Sequence, residues 1–362
     1  MKFIVTIGLL FTVLVLCPAR LQAQDVIRHP DASEVLGQKW AWAEEQAGQH
    51  DFQRGYWIGY SIERLMGEQS YIGSWSSRKR RMTLHELLYG EKAEFEPGRG
   101  RAYYRDGEPD RKVLKEVALL FEFRQGTSEP HNVRVTNLAG HVDLERHPLI
   151  WLGAAEDDES LDLVQQQYDR ARSEDAREEL VMAVAIHDET ERVVAMLEDI
   201  LTGNDGTDVR ESAAFWLGQQ DDSRALDLLI RTARDDRSED VREQAVFGIS
   251  QMDLAAATEA LIDLARNARG EVRKNAIFWL GQKASERAVE ALGEMVEEDA
   301  DTEVQKQAVF ALSQQSDDRG VPMLIEIAKT HPKAAVRKQA IFWLGQSNDP
   351  RALEAIIELA RG

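Results

Sequence analysis

The sequence predicts a mainly α-helical protein, an α-solenoid of about seven two-helix repeats preceded by a small α+β, β-rich module. Three observations carry this. The stretch Ala276-Ile277-Phe278-Trp279-Leu280-Gly281-Gln282 returns at 340–346 and, with one change, at 213–219. Softened copies, Ala245-Val246-Phe247-Gly248-Ile249-Ser250-Gln251 and Ala308-Val309-Phe310-Ala311-Leu312-Ser313-Gln314, stand between them and give a period near 32 residues. Ahead of residue 144 that period is lost, and aromatic and β-branched runs interleaved with glycine replace it. A fixed period of this length marks stacked supersecondary units, because two short helices cannot bury their apolar faces without neighbours.

Residues 1–23 read as a secretory signal peptide. Lys2 supplies the positive start, 3–16 is a nearly unbroken apolar run, and Leu21-Gln22-Ala23 ends on a small residue, so cleavage is expected before Gln24. Leu16 precedes Cys17 where lipoprotein processing wants a small residue, which disfavours a lipid anchor. No later stretch reaches the ~20 apolar residues of a membrane span. The expected product is secreted or periplasmic.

Net charge is −20, or −22 without residues 1–23, which hold Lys2 and Arg20 and no acid. A field of that sign repels phosphate backbones, so nucleic acid is not an expected partner. Cys17 is the only cysteine. Its loss with the leader would remove disulfides, thiolate metal sites and cysteine nucleophiles together.

Residues 24–143 form the non-repeating module. Asp31 is expected to cap a helix through Glu34, Leu36, Trp40, Trp42 and Ala43. Tyr56-Trp57-Ile58-Gly59-Tyr60-Ser61-Ile62 and Tyr71-Ile72-Gly73-Ser74-Trp75 read as strands, 83–88 as a short helix, and 112–124 with 133–137 as a strand pair around a turn at 126–130. Six of the seven tyrosines fall between Tyr56 and Tyr104. They build the module's core or a surface that stacks on sugars or peptides. Arg78-Lys79-Arg80-Arg81 is the one basic run, read as a solvated loop or an anion contact.

The repeat region divides into units 144–175, 176–208, 209–240, 241–271, 272–303, 304–335 and 336–362. The later units open on Val209-Arg210, Val241-Arg242, Val272-Arg273, Val304-Gln305 and Val336-Arg337. A helix of about twelve residues, a polar turn and a second amphipathic helix follow in each.

The Val-Arg opening, the alanine at the fifth position and the Leu-Gly at the ninth and tenth resemble HEAT repeats, most of all the short type also found in phycobilisome lyases. The resemblance covers 144–362. It implies that the Val-Arg helix lines the concave side and that arginine–acid pairs run between units. Asp208, Asp240, Glu271 and Glu303 stand ready to pair with Arg210, Arg242, Arg273 and Arg337, while Gln305 and Ala335 interrupt the series. The resemblance fixes fold more than function.

At about 100° per residue, the first, fifth, eighth and ninth positions of the Val-Arg helix face its partner helix, and the third lies opposite, toward the concave surface. The eighth position alternates, Trp151, Ala183, Trp216, Gly248, Trp279, Ala311, Trp343. The reading is structural: each indole fills volume that a small neighbour vacates. Two stripes are candidates for binding a partner. One is Phe215, Phe247, Phe278, Phe310 and Phe342, and the other is Gln219, Gln251, Gln282, Gln314 and Gln346. Their bland alternatives are lateral packing for phenylalanine and helix-end hydrogen bonding for glutamine. The third position runs Glu178, Glu211, Glu243, Lys274, Lys306, Lys338, so it is either a solvated face or an acid-to-base gradient that orients a bound chain.

Catalytic signatures are missing. There is no Walker-type loop and no His-Glu-x-x-His, and Gly59-Tyr60-Ser61-Ile62-Glu63 lacks the last glycine of a nucleophile elbow. Among enzymes and cofactor proteins built on such repeats, deoxyhypusine hydroxylases carry His-Glu pairs in register. This chain has only His85-Glu86, outside the repeats. Helical-repeat DNA glycosylases need a basic groove, and bilin lyases suit neither export nor a cysteine-free chain. The acidic runs at 156–159 and 204–206 lack the alternating spacing of a calcium loop. The reading is a non-enzymatic exported scaffold for a protein or peptide, with no cofactor and no metal. The alternative is an envelope enzyme or saccharide-binding protein whose site lies in the aromatic module, where Glu63, His85, Glu86 and Asp106 are available without a spacing that singles them out.

Overall fold

The computed structural model describes residues 25–50, 52, 54–68, 70–73, 82–90, 111–188 and 190–361. The expected signal peptide, the basic run 78–81, Trp75, Tyr103, Tyr104 and Asp106 lie outside the described residues.

The module is a five-stranded sheet in the order β1-β5-β2-β3-β4. Its strands are β1 (Val26–Arg28), β2 (Tyr56–Gly67), β3 (Lys112–Phe123), β4 (Asn132–Asn137) and β5 (Leu149–Ala154). The long runs β2 and β3 pair antiparallel from Tyr56 opposite Phe123 to Gly67 opposite Lys112. Alternation sends Tyr56, Ile58, Tyr60, Ile62, Leu119, Phe121 and Phe123 to one face, where they pack against the helices. Trp57, Ala118, Leu120, Leu149 and Trp151 go to the other, beneath α2 (Leu84–Tyr89). The short α2 holds because Thr83 and Glu86 form a reciprocal capping box.

Helix α1 (Leu36–Gln49) starts later than Asp31 predicts. Asp31 instead accepts from the backbone and hydroxyl of Ser33, and the open end of α1 at Leu36 N is capped by the Glu159 carboxylate at 2.9 Å. That carboxylate belongs to α3 (Asp157–Arg170). Residues 70–73 are not a strand.

Six helix pairs follow: α4 (Glu174–Ala185) with α5 (Thr190–Thr202), α6 (Thr207–Leu217) with α7 (Ser223–Asp235), α8 (Glu239–Gln251) with α9 (Ala255–Asn267), α10 (Gly270–Gln282) with α11 (Glu286–Glu298), α12 (Thr302–Ser313) with α13 (Asp317–Thr330), and α14 (Ala334–Leu344) with α15 (Pro350–Arg361). The expected first unit, 144–175, departs from this plan. Its second half is the single helix α3, but where the Val-Arg helix should stand the chain forms β5, paired in parallel with both β1 and β2. Trp151 is therefore a sheet residue, buried beside Trp57 and Leu120, and does not belong to the repeat series. Pro148 explains the failure of helix there: it removes an N–H and its ring clashes with the preceding turn.

Consecutive Val-Arg helices pack closely. A Cβ on Gly218 would stand 2.5 Å from Gly248 Cα, and one on Gly281 2.9 Å from Ala311 Cα. The partner helices are more widely spaced and are tied by long side chains: Arg192–Asp162, Arg224–Glu198, Arg234–Asp263, Arg266–Glu294 and Lys329–Glu358. The tightly spaced row is the inner side of the curve.

The structure relocates the arginine ladder. Arg177, Arg210 and Arg273 pair with Asp205, Asp236 and Asp299, the acids that end the second helix of the same unit. They do not reach the acids that open the Val-Arg helices. Asp236 and Asp299 are better placed, because each also accepts from the backbone N–H two residues on and so shapes the turn into the next unit. The pairs running between units lie on the outer row.

Sheet and solenoid share one continuous apolar core. Their seam is polar at one point: Tyr60 Oη lies 3.0 Å from Ser160 Oγ, which lies 2.7 Å from His187 Nε2, while His187 Nδ1 lies 3.1 Å from Val184 O. Beside it Arg64 of β2 pairs with Asp157 and donates to Ile186 O.

Candidate functional site

The third, seventh and eleventh positions of a Val-Arg helix are four residues apart, so they form one ribbon along it. These are Glu211 and Phe215 of α6 with Gln219 in the turn after it, Lys274, Phe278 and Gln282 of α10, and Lys338 and Phe342 of α14 with Gln346 in the turn after it. Repetition sets the ribbons side by side on the inner row.

The glutamines Gln219, Gln251, Gln282, Gln314 and Gln346 are all exposed. Helix-end bonding, one expectation for them, falls to the next residue along. Gln220 Nε2 donates to Ala185 O of the preceding unit, Lys283 Nζ to Met252 O at 2.8 Å, and Gln315 Nε2 to Leu280 O and Gly281 O at 3.1 and 2.9 Å. His187 holds the same twelfth position and reaches back to Ser160 of α3. Its residue type varies from unit to unit, so no motif marks this position in the sequence. Four of its six members, His187, Gln220, Lys283 and Gln315, share a polar side chain long enough to reach back one repeat, while Met252 and Ser347 do not.

The aromatics interlock. Phe215 stacks on Phe247 at 6.0 Å, Phe247 packs on Trp279 at 4.9 Å and Phe310 on Trp343 at 5.0 Å. Phe278 and Phe342 pack edge-on against the indole that follows them and keep 39% and 54% of their surface open. Trp216, Trp279 and Trp343 are half-buried. The small residue at alternate eighth positions makes room for the glycine backbone of the preceding helix, not for an indole. Trp343 also walls a cleft of about 270 Å³ between α12 and α14 that both Gln314 and Gln346 line, and its Nε1 has no hydrogen-bond partner.

Charge along the ribbon is uneven in a way the sequence does not show. Lys274 is paired with Glu271 at 2.5 Å and Lys306 with Glu303 at 2.9 Å, both one turn earlier in the same helix. At the other end Glu211 is pushed above the usual carboxylate range, first by burial and then by Asp240, Asp208 and Glu178. Like charges crowd there.

In the module, Glu63 and Glu116 stand directly opposite each other on β2 and β3. Burial and Glu63 raise the Glu116 carboxyl, against a lowering by His85. Glu63, Glu116 and His85 thus converge at one end of the sheet. A separate cleft of about 470 Å³ is lined by Tyr56, Phe123, Glu44 and Arg170. Ser160 and His187 are within hydrogen-bond reach, but both are buried beside Tyr60 and Arg64, so the pair is a structural bond between α3 and the end of α4. Among the described residues no helix is long and apolar enough to cross a membrane.

A family model described as HEAT repeats matches residues 194–281 and 258–334, and one described as PBS lyase HEAT-like repeat matches 336–362. No curated protein sequence matches the chain. Among solved structures, human deoxyhypusine hydroxylase is similar at 20% identity over 54% of this chain and 76% of its own, with a TM-score of 0.24. The Escherichia coli protein YibA is similar at 19% identity over 57% and 82%, with a TM-score of 0.34. The CpcE–CpcF complex of phycocyanin lyase from Nostoc is similar at 21% identity over 47% and 70%, with a TM-score of 0.31. Residues 194–334 and 336–362 match HEAT-repeat models, and the helix pairs stacked there are HEAT repeats.

Proposed function

We propose that this protein is an exported, non-catalytic scaffold that holds an extended protein segment along the inner ribbon of its Val-Arg helices. The observation that carries the reading is the row of five exposed glutamines, one per repeat: Gln220, Lys283 and Gln315 do the helix-end work beside Gln219, Gln282 and Gln314, and Gln251 and Gln314 donate only to the hydroxyl of the preceding serine. An amide both donates and accepts, so it answers either group of a peptide backbone. Helices spaced about 9–10 Å apart meet an extended chain of about 3.3 Å per residue roughly every three residues. The open rings of Phe278 and Phe342 add apolar contact between the amides. The self-repelling acids around Glu211 favour a segment whose end at α4–α8 is cationic.

Selection of a random peptide library on the full chain tests this. Enriched peptides are expected to carry Lys or Arg toward one end and to lose at least tenfold in affinity for Phe278→Ala/Phe342→Ala. No enrichment, or binding indifferent to those changes, contradicts the reading. Export rests on residues 1–23. N-terminal sequencing of the protein recovered from its native compartment is expected to begin at Gln24.

A second reading places saccharide binding in the module. The cleft lined by Tyr56, Phe123, Glu44 and Arg170 favours it, since an aromatic floor with an ion-paired rim suits a sugar face. Glycan-array binding lost in Tyr56→Ala would support it, and a blank array would count against it.

A further inference from the structure

Glu122, Glu145 and His147 bring two carboxylate oxygens and one imidazole nitrogen within 4.8 Å of one another. Glu122 lies near the end of β3, opposite Trp57 in the sheet, and is 6% exposed. His147 sits in the loop before β5 with Nδ1 2.9 Å from Glu122 Oε1. Donors with bonds of about 2.1 Å stand ~3.4 Å apart on a tetrahedral ion, so a shift of about half an ångström from the hydrogen-bonded distance brings both onto one ion. The loop is pinned in place: His147 N donates to Leu144 O at 2.8 Å, Glu145 N to Asp143 Oδ1 at 3.1 Å, and Arg134 to Asp143 O. Gly55 beside it takes φ +140°, and a Cβ there would stand 2.8 Å from Phe123 O while meeting the His147 ring at an ordinary 3.5 Å. A divalent cation would take both carboxylates and the imidazole nitrogen as ligands of one centre.

We propose that Glu122, Glu145 and His147 bind one divalent transition-metal ion, with water completing its shell. Carboxylate oxygens with a borderline imidazole nitrogen suit zinc or manganese better than calcium or magnesium. The ion would clasp the loop before β5 to β3. The site is independent of the peptide ribbon.

The test is calorimetric titration of the chelator-treated full chain with ZnCl2 and MnCl2, with CaCl2 and MgCl2 for comparison. One zinc or manganese per chain is expected, at least tenfold weaker in Glu145→Ala and in Glu122→Gln, with a shift of the His147 Nδ1 resonance on zinc addition. Glu145 is exposed, so its variant reports binding even if Glu122→Gln fails to fold. The exposed-acid change Asp158→Ala, away from the site, is expected to leave affinity unchanged. No stoichiometric binding, or unchanged affinity in Glu145→Ala, would leave only a histidine–carboxylate hydrogen bond and overturn the proposal.

Discussion

Phe247 packs its ring 4.9 Å from the indole of Trp279 in the next repeat. Phe310 repeats the contact on Trp343 at 5.0 Å. From a small-residue unit to a tryptophan unit the link is thus aromatic. From a tryptophan unit to a small-residue unit the backbones themselves come close, Gly218 on Gly248 and Gly281 on Ala311, with Phe215 stacked on Phe247 beside the first of these. The solenoid alternates two kinds of joint.

Replacing Trp279 with alanine removes one aromatic joint. The indole is half-buried, so the expected cost is about 2–3 kcal/mol, below the range for a fully buried ring. Thermal unfolding checks this, and an unchanged melt would mean the indole contributes no packing.

The glycine joints predict a positional contrast. Gly218→Ala places a methyl 2.5 Å from Gly248 Cα and is expected to destabilise by about 1–3 kcal/mol. Gly345 holds the same tenth position in the last unit, where a Cβ would meet only its own helix, and Gly345→Ala is expected to be neutral or slightly stabilising. Urea midpoints of the two variants distinguish a packing rule from a shared sequence habit.

Arg210 is 3% exposed and paired with Asp236. Asp236→Ala strands that charge and is expected to cost about 3–5 kcal/mol. Asp263→Ala breaks the outer-row pair with Arg234, whose partners are half-exposed, and is expected to cost about 0–1 kcal/mol. Urea unfolding followed by tryptophan fluorescence reports both.

His187 makes the seam sensitive to acid. Burial, and then Arg64, push its imidazole down to about 3, so it stays neutral and accepts from Ser160 Oγ. In the unfolded chain it titrates near 6.5. Protons therefore bind the unfolded state first. The stability is fully present above pH 6.5, falls as the pH drops toward about 3, and is lower by about 2 kcal/mol at pH 5. Urea unfolding at pH 7.5 and 5 checks this. The drop is expected to shrink in His187→Gln, and an equal drop in both proteins would place the acid sensitivity elsewhere.

Much of the solenoid was legible because each repeat restates the same local rule. Val209, Ala213 and Leu217 are all buried, as the helical spacing requires. At Trp151 local pattern yields to context. Leu149-Ile150-Trp151-Leu152-Gly153 imitates the repeat, yet it completes a sheet between β1 and β2. The warning signs were Pro148 and the missing Val-Arg opening. The roles of Glu159 on the α1 terminus and of Asp236 on Arg210 were not legible, because a carboxylate can serve many donors and only the fold chooses one. At the ribbon, sequence set the stripes. Only the structure separated the exposed glutamines from the helix-end work of Gln220, Lys283 and Gln315.

The claim that the ribbon is a binding surface is tested most directly on Gln282 and Gln346, which are exposed. Fluorescence anisotropy with a library-selected peptide should show Gln282→Ala/Gln346→Ala binding about tenfold or more weakly, as expected for two lost hydrogen bonds of ~1 kcal/mol each, with the thermal melt unchanged. Unchanged affinity, or a loss matched by an outer-row change such as Glu290→Ala, would contradict the account.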